Sequence, residues 1–263
     1  LAALLNRAET EHRWPDSFET IVALIPKTGA TEVHGNRPIG LLPYVYRSWA
    51  AARRKQLKTW IQSLHPGGYT TCVQGTMDTS IAHEHANVTN QQVVQYFFDL
   101  SKAYERVKHA DAVQAITATR GPSHILRLVI DMYQKPRRLR IQQHLTTAVT
   151  ANTGLLAGCG LAVDVLKALF AELIHFLQTE PLESKVIVRD YVDDITILLQ
   201  HPNTQVLCQE GPHIVSKYEE WMHSKNLAVN REKTQAITSG IQVTRALQVC
   251  HDWTEEAWQG RAK

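Results

Sequence analysis

Residues 186–199 read VIVRDYVDDITILL, two apolar runs with Tyr191-Val192-Asp193-Asp194 between them. Val186–Val188 and Ile195–Leu199 are short and rich in β-branched residues, which predicts two strands around an acidic turn. Such a turn presents both aspartates at one end of a sheet. Adjacent carboxylates repel, and setting them between buried strands is costly unless something compensates. A divalent cation compensates, and Mg²⁺ is a hard ion that takes carboxylate and phosphate oxygens.

Further back, Gln91–Leu100 (QQVVQYFFDL) predicts a buried strand that closes on Asp99, just after Phe97 and Phe98. If the two regions are neighbours in a sheet, Asp99, Asp193 and Asp194 converge. A carboxylate trio of this kind holds two metal ions roughly 3.5–4 Å apart, the arrangement that stabilises both attacking and leaving oxygens in phosphoryl transfer. Any one of these aspartates alone would be read as the start of a turn. Two acidic strand ends in apolar frames favour the metal.

The remaining pattern fits around these strands. Ile21–Pro26 predicts a strand, and Lys27–Arg37, with its Gly, Thr and Asn, a loop. Pro43–Leu64 predicts a long helix with Val45, Trp49, Leu57, Trp60, Ile61 and Leu64 on its apolar side, and Arg53, Arg54, Lys55 and Lys58 on a solvated face. Helices are expected over Ala110–Thr119 and Ser123–Tyr133, broken by Gly121–Pro122, with the basic run Lys135–Arg140 beside a strand. Gly154–Gly160 opens an apolar helix that runs to about Leu177, and another helix covers Thr204–Lys225. Leu227–Val229 and Gln235–Thr238 read as short strands. This mixture of helices and hairpin-like strand pairs predicts an α+β layered fold.

The 263 residues are 44% hydrophobic and 20% charged with a net charge of +3, which excludes a disordered or low-complexity chain. The sequence pI near 8.6 is compatible with a nucleic-acid partner. Cys72, Cys159, Cys208 and Cys250 are far apart and form no Cys-x-x-Cys pair, so neither a disulfide framework nor a zinc cluster is expected, and an intracellular compartment is. His83 and His85, two apart, do not share a helix face and read as surface histidines. Gln142–Val163 lacks Asp, Glu, Lys and Arg, but Thr146, Thr147, Thr150, Asn152 and Thr153 break its apolar character, so no membrane partner is expected.

Five segments, in order, resemble a reverse transcriptase of the non-LTR retrotransposon or group II intron type. Ile25-Pro26-Lys27 and Asn36-Arg37-Pro38-Ile39 resemble its fingers segment, and Phe98 through Val107 (FDLSKAYERV) its first catalytic motif. Gly154 through Leu161 (GLLAGCGL) resembles its glycine-rich nucleotide-side motif, Tyr191-Val192-Asp193-Asp194 its signature metal motif, and Leu227 through Thr234 (LAVNREKT) its lysine motif. The resemblance implies that Asp99, Asp193 and Asp194 ligate two Mg²⁺ ions, with Mn²⁺ as the alternative. Lys27 and Arg37 would grip the triphosphate, Arg as a bidentate fork and Lys as a point charge. Tyr104, five positions after Asp99, would block a 2′-hydroxyl. Ala157 and Gly158 would line the incoming nucleotide, Lys233 would approach the leaving pyrophosphate, and Tyr191 would lie near the primer terminus.

The chain departs from the family pattern where Leu156, Ala157, Gly160 and Ala162 stand for the usual Pro, Gln, Pro and Ser of the glycine-rich motif, and where Glu105 stands for Asp. The missing Gln removes a side-chain contact to the incoming nucleotide. No hairpin motif follows Thr234, and Gln242–Lys263 offers little that resembles a thumb. The expectation is therefore a right-hand polymerase cut to fingers and palm, its antiparallel palm sheet backed by helices, its thumb absent or truncated. Fingers would cover 1–92 and 116–150; palm would cover 93–115 and 151–263, with any thumb beginning at the C-terminal end. The expected activity is RNA-templated DNA synthesis, with RNA template, DNA primer and deoxynucleoside triphosphates as partners and a larger polyprotein as the parent. A catalytically decayed RNA-binding scaffold and an RNA-templated RNA polymerase are the alternatives.

Overall fold

The computed structural model describes residues 1–26, 36–64, 72–251, 253 and 257–260, the side chains of 72, 73, 259 and 260 excepted. Along the chain run α1 (Ala2–Glu11), β1 (Thr20–Ile25), β2 (Arg37–Leu41), α2 (Tyr44–Leu64), α3 (Cys72–Val88), β3 (Gln92–Phe98), α4 (Ala103–Arg106), α5 (His109–Ala118) and α6 (Ser123–Gln134). Next come β4 (Arg137–Ile141), β5 (His144–Leu145), α7 (Ala162–Gln178), β6 (Lys185–Tyr191), β7 (Asp194–His201), α8 (Thr204–Ser224), β8 (Gln235–Thr238), α9 (Ile241–Cys250) and β9 (Trp258–Gly260). Two compact units result: residues 1–64 with 104–169, and residues 65–103 with 170–263.

The first unit holds a four-stranded sheet ordered β2-β1-β4-β5. β1 is antiparallel to β2 and parallel to β4. Its core gathers around Trp14, which stacks on Phe18 and meets Tyr46 and Trp49 edge-on with ring centroids 5.2–5.6 Å apart. The indole N–H of Trp14 donates to the Leu128 carbonyl at 2.9 Å, so the ring is buried without an unpaired donor. α6 buries Ile125, Leu126, Leu128, Val129, Met132 and Tyr133, the wide apolar stripe that its sequence pattern predicts. The stripe of α2 is narrower than expected: Tyr46, Trp49, Ala50 and Leu57 are buried, whereas Val45, Trp60, Ile61 and Leu64 are only partly so. On the basic side of α2, Arg53 is not simply solvated, because it forks onto Glu9 through two 2.6 Å bonds.

The second unit is built on a five-stranded sheet ordered β6-β7-β3-β8-β9. Its central strand, β3, buries Val93, Val94, Tyr96 and Phe98 on its two faces, which explains an apolar run in the sequence broken only by the buried Gln95. α3 covers the face of β3 that carries Val93 and Gln95: Ala86 packs with Val93 and Leu198, and Gln95 donates to Thr79 at 3.2 Å. α8 and α9 cover the other face, where Phe98 stacks on Tyr218 at 4.0 Å and Tyr96 meets His251 at 2.9 Å. Four strands form the expected antiparallel sheet. The fifth, β9, runs parallel to β8, because α9 carries the chain back over the sheet between them.

Two local expectations are corrected. His83 is buried rather than on the surface, because it shares the sheet-facing side of α3 with Ala82 and Ala86; His85 is exposed as expected. Leu227–Val229 forms no strand, only a single bridge from Val229 to Leu100. Among the described residues, no helix is long and apolar enough to cross a membrane.

Candidate active site

β6 and β7 form a hairpin whose last pair is Tyr191 with Asp194, leaving Val192 and Asp193 as a two-residue loop. Val192 has φ +62°, the left-handed region at the first loop position, which is the signature of a type II′ turn usually built on glycine. A β-branched residue is strained there, and such strain persists only where the surroundings hold it. The pair Phe98 with Ile195 is the last in the β3–β7 ladder, and the same register carried one step further sets Asp99 opposite Asp194. Residues directly opposite in an antiparallel pair point to the same face of the sheet.

The electrostatics agree with that register. Burial pushes the Asp194 carboxyl up, the negative charges of Asp193 and Asp99 push it further, and Lys233 pulls it down. Lys233 Nζ lies 3.8 Å from Asp99 Oδ2, an exposed lysine against a carboxylate about one-third exposed. Asn230 donates through Nδ2 to the same Oδ2 at 3.0 Å. Below the cluster, the Tyr218 hydroxyl is buried, with its acidity further suppressed by Glu219, Asp99 and Asp194. Asp99, Asp193, Asp194 and Lys233 are thus brought together, with Tyr191 at the hairpin's edge. Asn230 was assigned no role from the sequence; its signal was its place in the lysine motif, three residues before Lys233.

Among the described residues, no three His, Cys, Asp or Glu side chains are set so as to hold a metal ion. The donor chemistry nevertheless suits a hard divalent cation: carboxylates crowd one sheet end, and the raised affinity of Asp194 for a proton is the charge excess a cation relieves.

The other predicted residues sit in the first unit. Arg37 opens β2, paired with Ile25 and exposed. Lys27 lies outside the described residues. The glycine-rich loop packs on β2: the Gly40 N–H donates to the Ala157 carbonyl at 2.6 Å. At Gly158, φ is +103° and a Cβ would come within 2.8 Å of the Gly40 carbonyl, so only glycine fits. Ala157 and Tyr104 are both partly buried. The Tyr104 carbonyl accepts the Leu155 N–H at 2.8 Å, which ties the first motif to the glycine-rich one.

Among the solved structures that share the fold are three of Candida telomerase. Apo telomerase from Candida tropicalis, truncated from its C-terminal domain, matches 90% of this chain and 54% of its own at 15% identity, with a TM-score of 0.61. Candida tropicalis telomerase in complex with the TWJ fragment of telomeric RNA matches 90% and 44% at 13% identity, TM-score 0.64. The corresponding Candida albicans complex matches 83% and 41% at 12% identity, TM-score 0.57. The chain therefore spans about half the length of the solved structures it matches. No curated protein matches the chain. The family model of reverse transcriptase (RNA-dependent DNA polymerase) matches residues 25–256, through both strand ends that bear the aspartates. The chain belongs to the reverse transcriptase family.

Proposed function

We propose that the chain carries out RNA-templated DNA synthesis: a primer 3′-hydroxyl attacks the α-phosphate of a deoxynucleoside triphosphate and pyrophosphate leaves. The observation that carries this reading is that Asp99 and Asp194 stand at the same end of the β3–β7 ladder, with the charges of Asp99 and Asp193 both acting on Asp194. Asp99, Asp193 and Asp194 would hold Mg²⁺ or Mn²⁺, two ions in all. When bound, such ions neutralise charge on the phosphates and on the attacking and leaving oxygens. Lys233, tethered beside Asp99, carries a positive charge toward the leaving pyrophosphate. Lys27 and Arg37 bind the triphosphate, and Ala157 and Gly158 border the nucleotide. Tyr104 sits under the sugar, where a ring excludes a 2′-hydroxyl, and Tyr191 supports the primer end. Catalysis is chiefly positioning and electrostatics.

In this reading residues 1–92 and 116–150 are the fingers, and residues 93–115 and 151–263, which carry the aspartate-bearing strand ends, are the palm. The parent is a retroelement polyprotein of which this chain is the polymerase part. The telomerase complexes with telomeric RNA support an RNA partner. Ala157 favours a second reading, a decayed scaffold that binds RNA without synthesis, because its methyl group makes no hydrogen bond to a nucleotide. Primer extension on poly(rA)–oligo(dT) with Mg²⁺, comparing dTTP with UTP, separates these. Extension with dTTP alone supports the proposal. RNA binding without extension favours the scaffold, and efficient use of UTP an RNA polymerase.

A further inference from the structure

Arg137 enters the glycine-rich loop from β4. Its main chain is fixed by two bonds to Val149, at 2.8 and 2.9 Å. Its guanidinium then bonds main-chain carbonyls: Nη2 donates to Tyr133 at 2.5 Å and to Gly154 at 3.0 Å, and Nη1 donates to Thr153 at 3.3 Å. His109, 3% exposed at the start of α5, donates through Nε2 to the same Gly154 carbonyl at 3.1 Å. Because a carbonyl only accepts, this bond fixes the imidazole tautomer with its proton on Nε2.

The loop so held is zipped to the C-terminal half of the first catalytic motif and the residues just after it. Leu155 N–H donates to Tyr104, Gly154 N–H to Val107 and His109 N–H to Asn152, at 2.8, 2.8 and 2.9 Å. Gly154 lies at the centre with φ +90°, where a Cβ would touch Arg137 Nη1 and the Glu105 carbonyl, each at 3.3 Å. Burying a guanidinium among carbonyls costs free energy. A simple apolar residue would fill the space without that cost, but it would not hold three carbonyls in one geometry.

We infer that Arg137 and His109 are positioning residues: they clamp Gly154, set the main chain that carries Tyr104 and Ala157, and so govern deoxynucleotide affinity and the rejection of ribonucleotides. This rests on the function proposed above and assigns to that site two residues that touch no substrate. A lysine at 137 keeps the charge but offers a point donor in place of the planar fork.

The test is steady-state primer extension with Arg137→Lys, His109→Ala and His109→Gln. Arg137→Lys should raise the KM for dTTP roughly five- to tenfold with kcat within about twofold, and erode the preference for dTTP over UTP by a similar factor. His109→Ala should do the same more weakly, and His109→Gln, whose amide can still donate to Gly154, should restore the parent values. A purely structural role would lower the active fraction and the melting temperature while leaving KM and the dTTP/UTP preference unchanged, and would overturn the inference. If the parent chain extends no primer, the proposed function fails, and hydrogen exchange decides the clamp. Arg137→Lys should then speed exchange of the Gly154 and Leu155 amides about tenfold while leaving the interior of α6 unchanged. Unaltered exchange at those two amides would refute it.

Discussion

Asn230 holds Asp99 twice: its main-chain N–H donates to the Asp99 carbonyl at 2.8 Å, and its side-chain amide donates to Asp99 Oδ2 at 3.0 Å. The first bond continues the edge of β3 past its last strand residue; the second fixes the carboxylate rotamer. Lys233 reaches the same oxygen from the turn that Asn230 starts, since its N–H donates to the Asn230 carbonyl at 3.1 Å. One asparagine therefore orients both a proposed ligand and the proposed pyrophosphate cation.

Asn230→Ala should leave the main-chain bond intact and free the carboxylate. A misaligned ligand costs roughly tenfold in kcat, with a smaller effect on the KM for dTTP. Asn230→Asp should be worse, because it sets a further negative charge against Asp99. Primer-extension kinetics read both, and an unchanged kcat in Asn230→Ala would remove Asn230 from the site.

Asp193→Asn should abolish extension, with a loss of about 10³-fold or more, while RNA affinity at fixed salt stays within about twofold. The reasoning separates two terms: charge at one sheet end for chemistry, and Lys and Arg contacts spread over a surface for the RNA backbone. Filter binding of a template–primer beside the extension assay makes the comparison. Parallel loss of both would point to misfolding.

The carboxylate cluster should cost the fold stability at neutral pH. Burial and the neighbours Asp193 and Asp99 raise the Asp194 carboxyl above its ordinary value. The native state then binds more protons than the unfolded chain in the window between the two values, so stability falls as pH rises through it. Asp194→Asn should accordingly raise the melting temperature at pH 7 by roughly 1–2 °C, a small figure because the residue is largely exposed and only partly desolvated, so solvent screens the repulsion. The gain should vanish at pH 3, where the parent carboxyl is protonated, and Mg²⁺ should narrow it at pH 7. A melting temperature lowered at pH 7 would contradict this electrostatic account.

Val192 stores strain in the turn that carries Asp193. A non-glycine residue in the left-handed region costs about 1–2 kcal/mol, and glycine's extra freedom in the unfolded chain returns part of that. Val192→Gly should therefore stabilise the chain by about 0.5–1 kcal/mol in urea denaturation and lower kcat, since a looser turn positions Asp193 less well. Stability and activity moving in the same direction would count against strain as the device that aims this aspartate.

What the sequence made legible follows from how local each signal is. The β6–β7 hairpin, β3 and α6 were readable because their apolar runs are dense and their partners lie either next in sequence or on an equally apolar strand. α3 was not, because its composition is nearly even around the helix; only packing on β3 singles out Ala82, His83 and Ala86 as its buried side. β9 escaped for a similar reason, since a three-residue strand needs β8 to define it. At the site, the acidic strand ends stood out against apolar frames. Asn230, Arg137 and His109 did not, because their roles lie in bonds to main-chain carbonyls and to a carboxylate far away in sequence.

Ala157 is where this chain departs most from the pattern it otherwise follows. Its main chain is well held: the carbonyl accepts from Gly40 at 2.6 Å, and the next residue, Gly158, lets the loop lie directly on β2. The loop geometry therefore does not depend on the side chain, and the methyl group leaves a partly buried position without a polar contact to offer. A neutral hydrogen bond is worth on the order of 1 kcal/mol net, so its absence should raise the KM for dTTP several-fold without silencing the chemistry. Ala157→Gln should then lower KM roughly fivefold with kcat nearly constant, the pattern of a contact made equally in ground and transition states. Its melting temperature should stay within about 2 °C of the parent, because the Gly40 bond is untouched. Were the parent inactive at every dTTP concentration and Ala157→Gln equally so, weak nucleotide binding would not explain the silence, and the RNA-binding scaffold would become the better account of this chain.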